Sequence, residues 1–96
     1  MRLFRRTPPT AAAELKVVLY GRPGCHLCDE MDSIVMPLAR ELNFIVEHVN
    51  IEADPALEAE YGQEIPVLFI NERKAFKYRV TERELRARLQ RTARVR

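Results

Sequence analysis

Apolar and polar positions along the chain fall into a few distinct rhythms. Lys16 to Tyr20 (Lys-Val-Val-Leu-Tyr) is a short apolar run rich in β-branched residues and closed by Gly21, Pro23 and Gly24. It predicts a buried strand that enters a tight loop. From Cys25 onward, Leu27, Met31, Ile34, Val35, Leu38 and Leu42 share one helical stripe,. The stripe keeps its phase through Pro37, which predicts one helix kinked near Met36-Pro37 rather than two shorter ones. Phe44 to Ile51 is β-rich and has no helical phase,. Asp54-Pro55 then supplies an N-cap with proline at the first helical position, predicting a short helix to about Tyr61 that stops at Gly62.

Pro66 to Ile70 is another apolar run, joined through Asn71, Glu72 and Arg73 to Lys74–Arg79, where Phe76 and Tyr78 alternate with Ala75, Lys77 and Arg79. This predicts a hairpin whose second strand shows one face to solvent. Thr81-Glu82-Arg83-Glu84 is a capping box; Val80 and Leu85 are spaced as its hydrophobic staple, and Leu85 and Leu89 face the core,. The resulting order, β-α-β-α-β-β-α, is an α/β fold with a four-stranded mixed sheet. Its first two strands are expected to be parallel through a right-handed crossover and its last two antiparallel.

With 96 residues there is room for one domain and one site,. Residues 16–93 are assigned to the domain and 1–15 to a flexible N-terminal extension. No apolar run is long enough to cross a bilayer, and basic Met1–Arg6 leads into Thr7, Pro8 and Pro9 rather than a secretory apolar stretch,. The expectation is a cytoplasmic monomer without membrane contact. Net charge is only +2, although Arg2, Arg5, Arg6, Arg83, Arg86, Arg88, Arg91, Arg94 and Arg96 crowd the two ends. No aromatic platform is interleaved with them, so they read as solvated surface and no nucleic-acid partner is expected.

The chain has two cysteines, Cys25 and Cys28, too close together to staple distant segments,. Their spacing suits redox exchange or metal. Disulfide exchange requires a thiolate, and Cys25 falls where a loop meets a helix start, so unpaired amides and the helix dipole favour a negative sulfur. Cys28, one turn on, is placed to resolve a mixed disulfide formed on Cys25. His26 can add positive charge near the thiolate or simply face solvent, and Asp29 and Glu30 suit the first turn of a helix. A structural zinc takes four ligands, and beside the two cysteines this chain offers only His26, wedged between them, and the remote His48, so no metal is assigned,. An iron-sulfur or metal site shared between two copies remains the alternative.

The stretch Leu19-Tyr20-Gly21-Arg22-Pro23-Gly24-Cys25-His26-Leu27-Cys28, together with Ile65-Pro66-Val67-Leu68, resembles the glutaredoxin branch of the thioredoxin superfamily, in particular small glutaredoxin-like proteins with divergent active sites. The resemblance runs from about Lys16 to Leu89. It implies a thioredoxin fold and a cis bond before Pro66, presenting the Ile65 backbone beside Cys25 to an extended substrate. Glutaredoxins often carry Pro-Tyr between the cysteines, where this chain has His26-Leu27, and Gly-Gly before the last helix, where it has Tyr78-Arg79-Val80. In the family that turn helps hold the glutathione γ-glutamyl group; here Thr81 is left to offer an amide and hydroxyl to a carboxylate, and Arg22 resembles a basic residue ahead of the first cysteine.

The functional expectation is a thiol-disulfide oxidoreductase acting on protein disulfides, with Cys25 as nucleophile, Cys28 as resolving thiol, and Arg22, Ile65, Pro66 and Thr81 as substrate-binding residues. No cofactor is expected. Glutathione is the alternative co-substrate, and glutathione or a donor of the thioredoxin-reductase type supplies electrons.

Overall fold

The computed structural model describes residues 15–94. Strand β1 (Lys16–Gly21) lies inside a four-stranded sheet that also contains β2 (Ile45–Asn50), β3 (Val67–Ile70) and β4 (Arg73–Lys77), in the order β2-β1-β3-β4. β1 pairs in parallel with β2 and antiparallel with β3, and β3 pairs antiparallel with β4. Helices α1 (His26–Leu42), α2 (Pro55–Tyr61) and α3 (Glu82–Arg94) complete the expected β-α-β-α-β-β-α order. The expected extension over residues 1–15 falls outside the described residues except for Leu15, which packs against the core.

Strand alternation puts Val17 and Leu19 of β1, with Leu68 and Ile70 of β3, into one cluster with Met31, Val35, Leu38 and Ala39 of α1 and Leu85 and Leu89 of α3,. These side chains are almost fully buried, and each large one removed from water contributes about 1.5–3 kcal/mol,. On the other sheet face, Tyr20 and Phe69 meet Tyr61 of α2, with ring centroids 4.8 and 5.9 Å from Tyr61. The sheet is therefore covered on both sides, and β1 ends at the edge of the packed region where the cysteines follow.

α1 is one uninterrupted helix through Pro37. Pro37 and Ser33 are both exposed, so the carbonyl that proline leaves unpaired one turn back is on the solvent side, where water satisfies it,. Asn43 ends the helix in the left-handed conformation, φ 64°,. β2 is shorter than the apolar pattern suggests: Phe44 turns inward and is buried, while Ile51 starts a 3-10 turn, Ile51–Ala53.

The β3–β4 turn is tighter than expected. Asn71 and Glu72 both have positive φ, 49° and 69°, as a two-residue hairpin turn requires, so β4 begins at Arg73 and ends at Lys77,. The Asn71 side chain accepts from the Lys16 amide at 2.7 Å, tying this turn to the start of β1. The α3 capping box forms as its sequence predicts: the Thr81 amide donates to Glu84 Oε1 at 3.0 Å, and the Glu84 amide donates to Thr81 Oγ1 at 3.1 Å,.

Candidate redox site

Gly24 adopts φ +79°, which glycine enters without a side-chain clash, and the turn it makes brings the Cys25 amide to the Arg22 carbonyl at 3.3 Å,. Cys25 is the N-cap of α1. Its backbone is extended, φ −88° and ψ 110°, and its Sγ accepts from the Cys28 amide at 3.1 Å. A sulfur thus takes the place usually filled by a serine or aspartate oxygen, beside the positive end of the helix dipole. Cys25 is partly exposed and Cys28 is buried; their Cα atoms are 5.2 Å apart and the two sulfurs form a disulfide.

Gly21 creates the room for this. A Cβ at residue 21 would sit 2.9 Å from Cys28 Sγ and 3.3 Å from Cys28 Cβ, so the last residue of β1 has no side chain where the inner sulfur lies. In the sequence Gly21 reads only as a strand terminator. The signal available is its place as the last strand residue before the cysteine loop.

The Ile65-Pro66 peptide bond is cis. β3 begins beyond it, with Val67 opposite Tyr20, so Ile65 lies outside the ladder and alongside the end of β1 that leads into Cys25. The loop is held from several sides. The Tyr78 amide donates to the Pro66 carbonyl at 2.9 Å, the Tyr78 hydroxyl donates to the Gln63 carbonyl at 2.9 Å, and Lys74 Nζ meets Glu64 Oε1 at 2.8 Å. The Lys74 hydrogen bond holds the Glu64 carboxyl below its ordinary value, and the same bond raises Lys74. Tyr78 has φ 70°, so the turn before α3 keeps a conformation that favours glycine although the chain places a tyrosine there,.

The remaining candidate residues are engaged within the chain. Arg22 Nη2 donates to Glu58 Oε2 at 2.9 Å and to the Gly62 carbonyl at 3.4 Å, clamping the cysteine loop to the end of α2. Gly62 itself is right-handed, φ −55°, so its conformation does not require glycine. Its bare Cα instead leaves room for Glu58, whose carbonyl oxygen would lie 2.5 Å and whose Oε2 would lie 3.0 Å from an added Cβ. Thr81 spends its amide on Glu84, so the carboxylate that reaches this amide is the protein's own. His26 is 87% exposed and its Nε2 lies 3.2 Å from Glu30, which also meets Arg79 at 3.3 Å. The structure thus gathers Cys25, Cys28 and the Ile65-Pro66 segment at one end of the sheet and assigns Arg22 and Thr81 structural contacts.

A cleft of about 300 Å³ opens against Cys28 between α1 and the β1–β2 edge. Across it, His48 Nε2 and Asp32 Oδ1 are 2.6 Å apart. His48 is distant from the cysteines in sequence, and only the parallel pairing of Leu19 with His48 carries it here.

Residues 16–90 match the model of the family described as Glutaredoxin-like domain (DUF836). The Mycobacterium tuberculosis protein Rv0508 is 30% identical over 77 residues, spanning 75% of this chain and 79% of that protein. The solution structure of protein Ne2328 from Nitrosomonas europaea is similar at TM-score 0.66 and 33% identity, covering 77% of this chain and 89% of the other. The X-ray structure of protein XcR50 from X. campestris has the same score and identity, covering 78% and 96%. Fasciola hepatica thioredoxin, 21% identical at TM-score 0.59 over 84% and 83% of the two chains, shares the fold. With the family model spanning the whole sheet and both motifs, this chain belongs to the glutaredoxin-like domain family, and its Cys25–Cys28 pair supports a redox-type function.

Proposed function

We propose that the protein is a dithiol-disulfide oxidoreductase whose substrates are protein disulfides. The observation that carries this is the asymmetry of the pair: Cys25 caps α1 with a partly exposed sulfur that accepts the Cys28 amide, while Cys28 is buried behind it. A hydrogen bond from an amide and the helix dipole both favour the thiolate of Cys25, making it the attacking group. Cys28 then attacks the mixed disulfide from within the chain, releasing the reduced substrate and closing the internal disulfide. Ile65, outside the ladder beside the end of β1, offers main-chain groups to an extended segment around the target disulfide,.

Two features favour protein disulfides over glutathione. Thr81, the residue left to bind a ligand carboxylate, has its amide occupied by Glu84. The groove of about 580 Å³ between α1 and the turn before α3 is lined by Glu30 and Glu84, and Glu30 pairs there with Arg79. These acidic groups oppose an anionic tripeptide. The reading implies a reducing compartment, the cytoplasm, and an external thiol donor that returns the pair to its dithiol form.

The test compares two substrates. With a small dithiol as donor, the protein should reduce a protein disulfide at a rate far above the uncatalysed exchange. With glutathione as donor, it should turn over a glutathione mixed disulfide poorly. Efficient glutathione turnover would overturn the assignment of substrate.

A further inference from the structure

Resolution by Cys28 has a chemical requirement that the cysteine pair alone does not meet. Cys28 is buried, and burial away from water disfavours the thiolate it must become,. Its proton needs an acceptor within reach of the buried sulfur. The cleft of about 300 Å³ that opens on Cys28 provides one.

Cys28 Sγ points toward the bare Cα of Gly21. Gly21 pairs with Asn50 and Leu19 pairs with His48, so Asn50 and His48 lie on the sheet face that α1 covers,. Asp32 is one helical turn after Cys28, roughly 5–6 Å away between Cβ atoms. Its carboxylate meets His48 Nε2 at 2.6 Å, and Cys28, Asp32 and His48 all line the same cleft. With Nε2–H donated to Asp32, the imidazole keeps its Nδ1 lone pair as a proton acceptor. The other charged groups facing the cleft are Asp29 from α1 and Arg22 from the loop, and Arg22 is already paired with Glu58.

We propose that His48, oriented by Asp32, takes the proton of Cys28 through water in this cleft. The inference rests on the dithiol mechanism proposed above. In the first step the Cys25 thiolate attacks the substrate disulfide, a Cys25–substrate disulfide forms, and one substrate thiolate leaves. The Cys28 thiol then passes its proton through water to His48 Nδ1 and its sulfur attacks Cys25. The Cys25–Cys28 bond forms, the mixed disulfide breaks, and the second substrate thiolate leaves and is protonated by solvent. Two electrons pass from the dithiol to the substrate, and His48 releases its proton to solvent. Asp32 and His48 are positioning and proton-accepting residues that touch no substrate atom.

The test uses the reduced full chain and the chromogenic dithiobis(nitrobenzoate) disulfide, followed by stopped flow. Attack by Cys25 releases the first coloured thiolate and resolution by Cys28 the second. His48→Gln should leave the first phase unchanged and slow the second on the order of tenfold or more at neutral pH. The two proteins should converge at alkaline pH, where Cys28 loses its proton to hydroxide. Asp32→Asn, which keeps a hydrogen-bonding side chain, should slow the same phase by a smaller factor. Equal second phases at every pH, or a slowing by one constant factor across the pH range, would overturn the proton-transfer role. A wild-type protein that releases no first thiolate would instead overturn the dithiol reading itself.

Discussion

Gly21 and Cys28 are in direct apposition: the end of β1 has no side chain where the inner sulfur of the pair lies, and a Cβ there would come within 2.9 Å of it. Gly21→Ala must therefore push Cys28, which is anchored within α1, or bend the end of β1. Overpacking of this kind costs about 1–3 kcal/mol. Urea unfolding of the oxidised protein should show a lower midpoint, and thiol titration should show slower closure of the internal disulfide. An alanine variant equal to wild type in both measurements would contradict the contact.

Arg22 bridges Glu58 and the Gly62 carbonyl, so its role is to hold the cysteine loop on α2. Arg22→Ala and Glu58→Gln should each lower stability by up to about 1 kcal/mol, and the double variant should lose less than the sum. Protein-disulfide reduction should change alike in both single variants. A selective loss of activity in Arg22→Ala would assign Arg22 to the substrate.

Thr81 serves the start of α3. Thr81→Ala removes the oxygen that accepts the Glu84 amide and should cost about 1 kcal/mol, whereas Thr81→Ser should restore most of it,. Thermal unfolding distinguishes the two. Glutathione binding measured by calorimetry should be absent from all three proteins, and binding to wild type that is lost with Thr81→Ala would contradict the proposed substrate preference.

The Glu64–Lys74 bond steadies the segment that carries Ile65-Pro66, and both partners titrate. Glu64 is depressed in the folded protein by the Lys74 hydrogen bond, so its stabilisation is present above the ordinary glutamate value, about 4.3, and is lost as pH falls through the lowered folded value,. Lys74 is raised by the same bond, so its share is full below about 10.4 and is lost as pH rises through the raised folded value,. Urea midpoints of wild type and Glu64→Gln should therefore differ between these limits and converge in acid. A constant difference down to strong acid would contradict the linkage.

Much of the fold was legible in the chain because local signals agreed with the packing: the helical stripe of α1, the Asp54-Pro55 helix start and the Thr81–Glu84 box all form as their residues predict. What stayed hidden depends on contacts between distant segments. Arg22 resembles a basic residue that the family places ahead of its first cysteine, and its contact with Glu58, 36 positions away, shows only in the fold. His48 reaches the Cys28 cleft only through the β1–β2 register, which no local pattern specifies. Tyr78 shows the converse, since its left-handed backbone preserves a turn that the absence of glycine seemed to remove.

The division of labour between the two sulfurs is tested most directly by mass spectrometry of a Cys28→Ser variant mixed with a disulfide-bonded protein at neutral pH. The account predicts a stable adduct with one substrate chain disulfide-linked to Cys25, and in the wild type no adduct but reduced substrate and an internal Cys25–Cys28 disulfide. A Cys28→Ser protein that forms no adduct while Cys25 resists alkylation at neutral pH would contradict it.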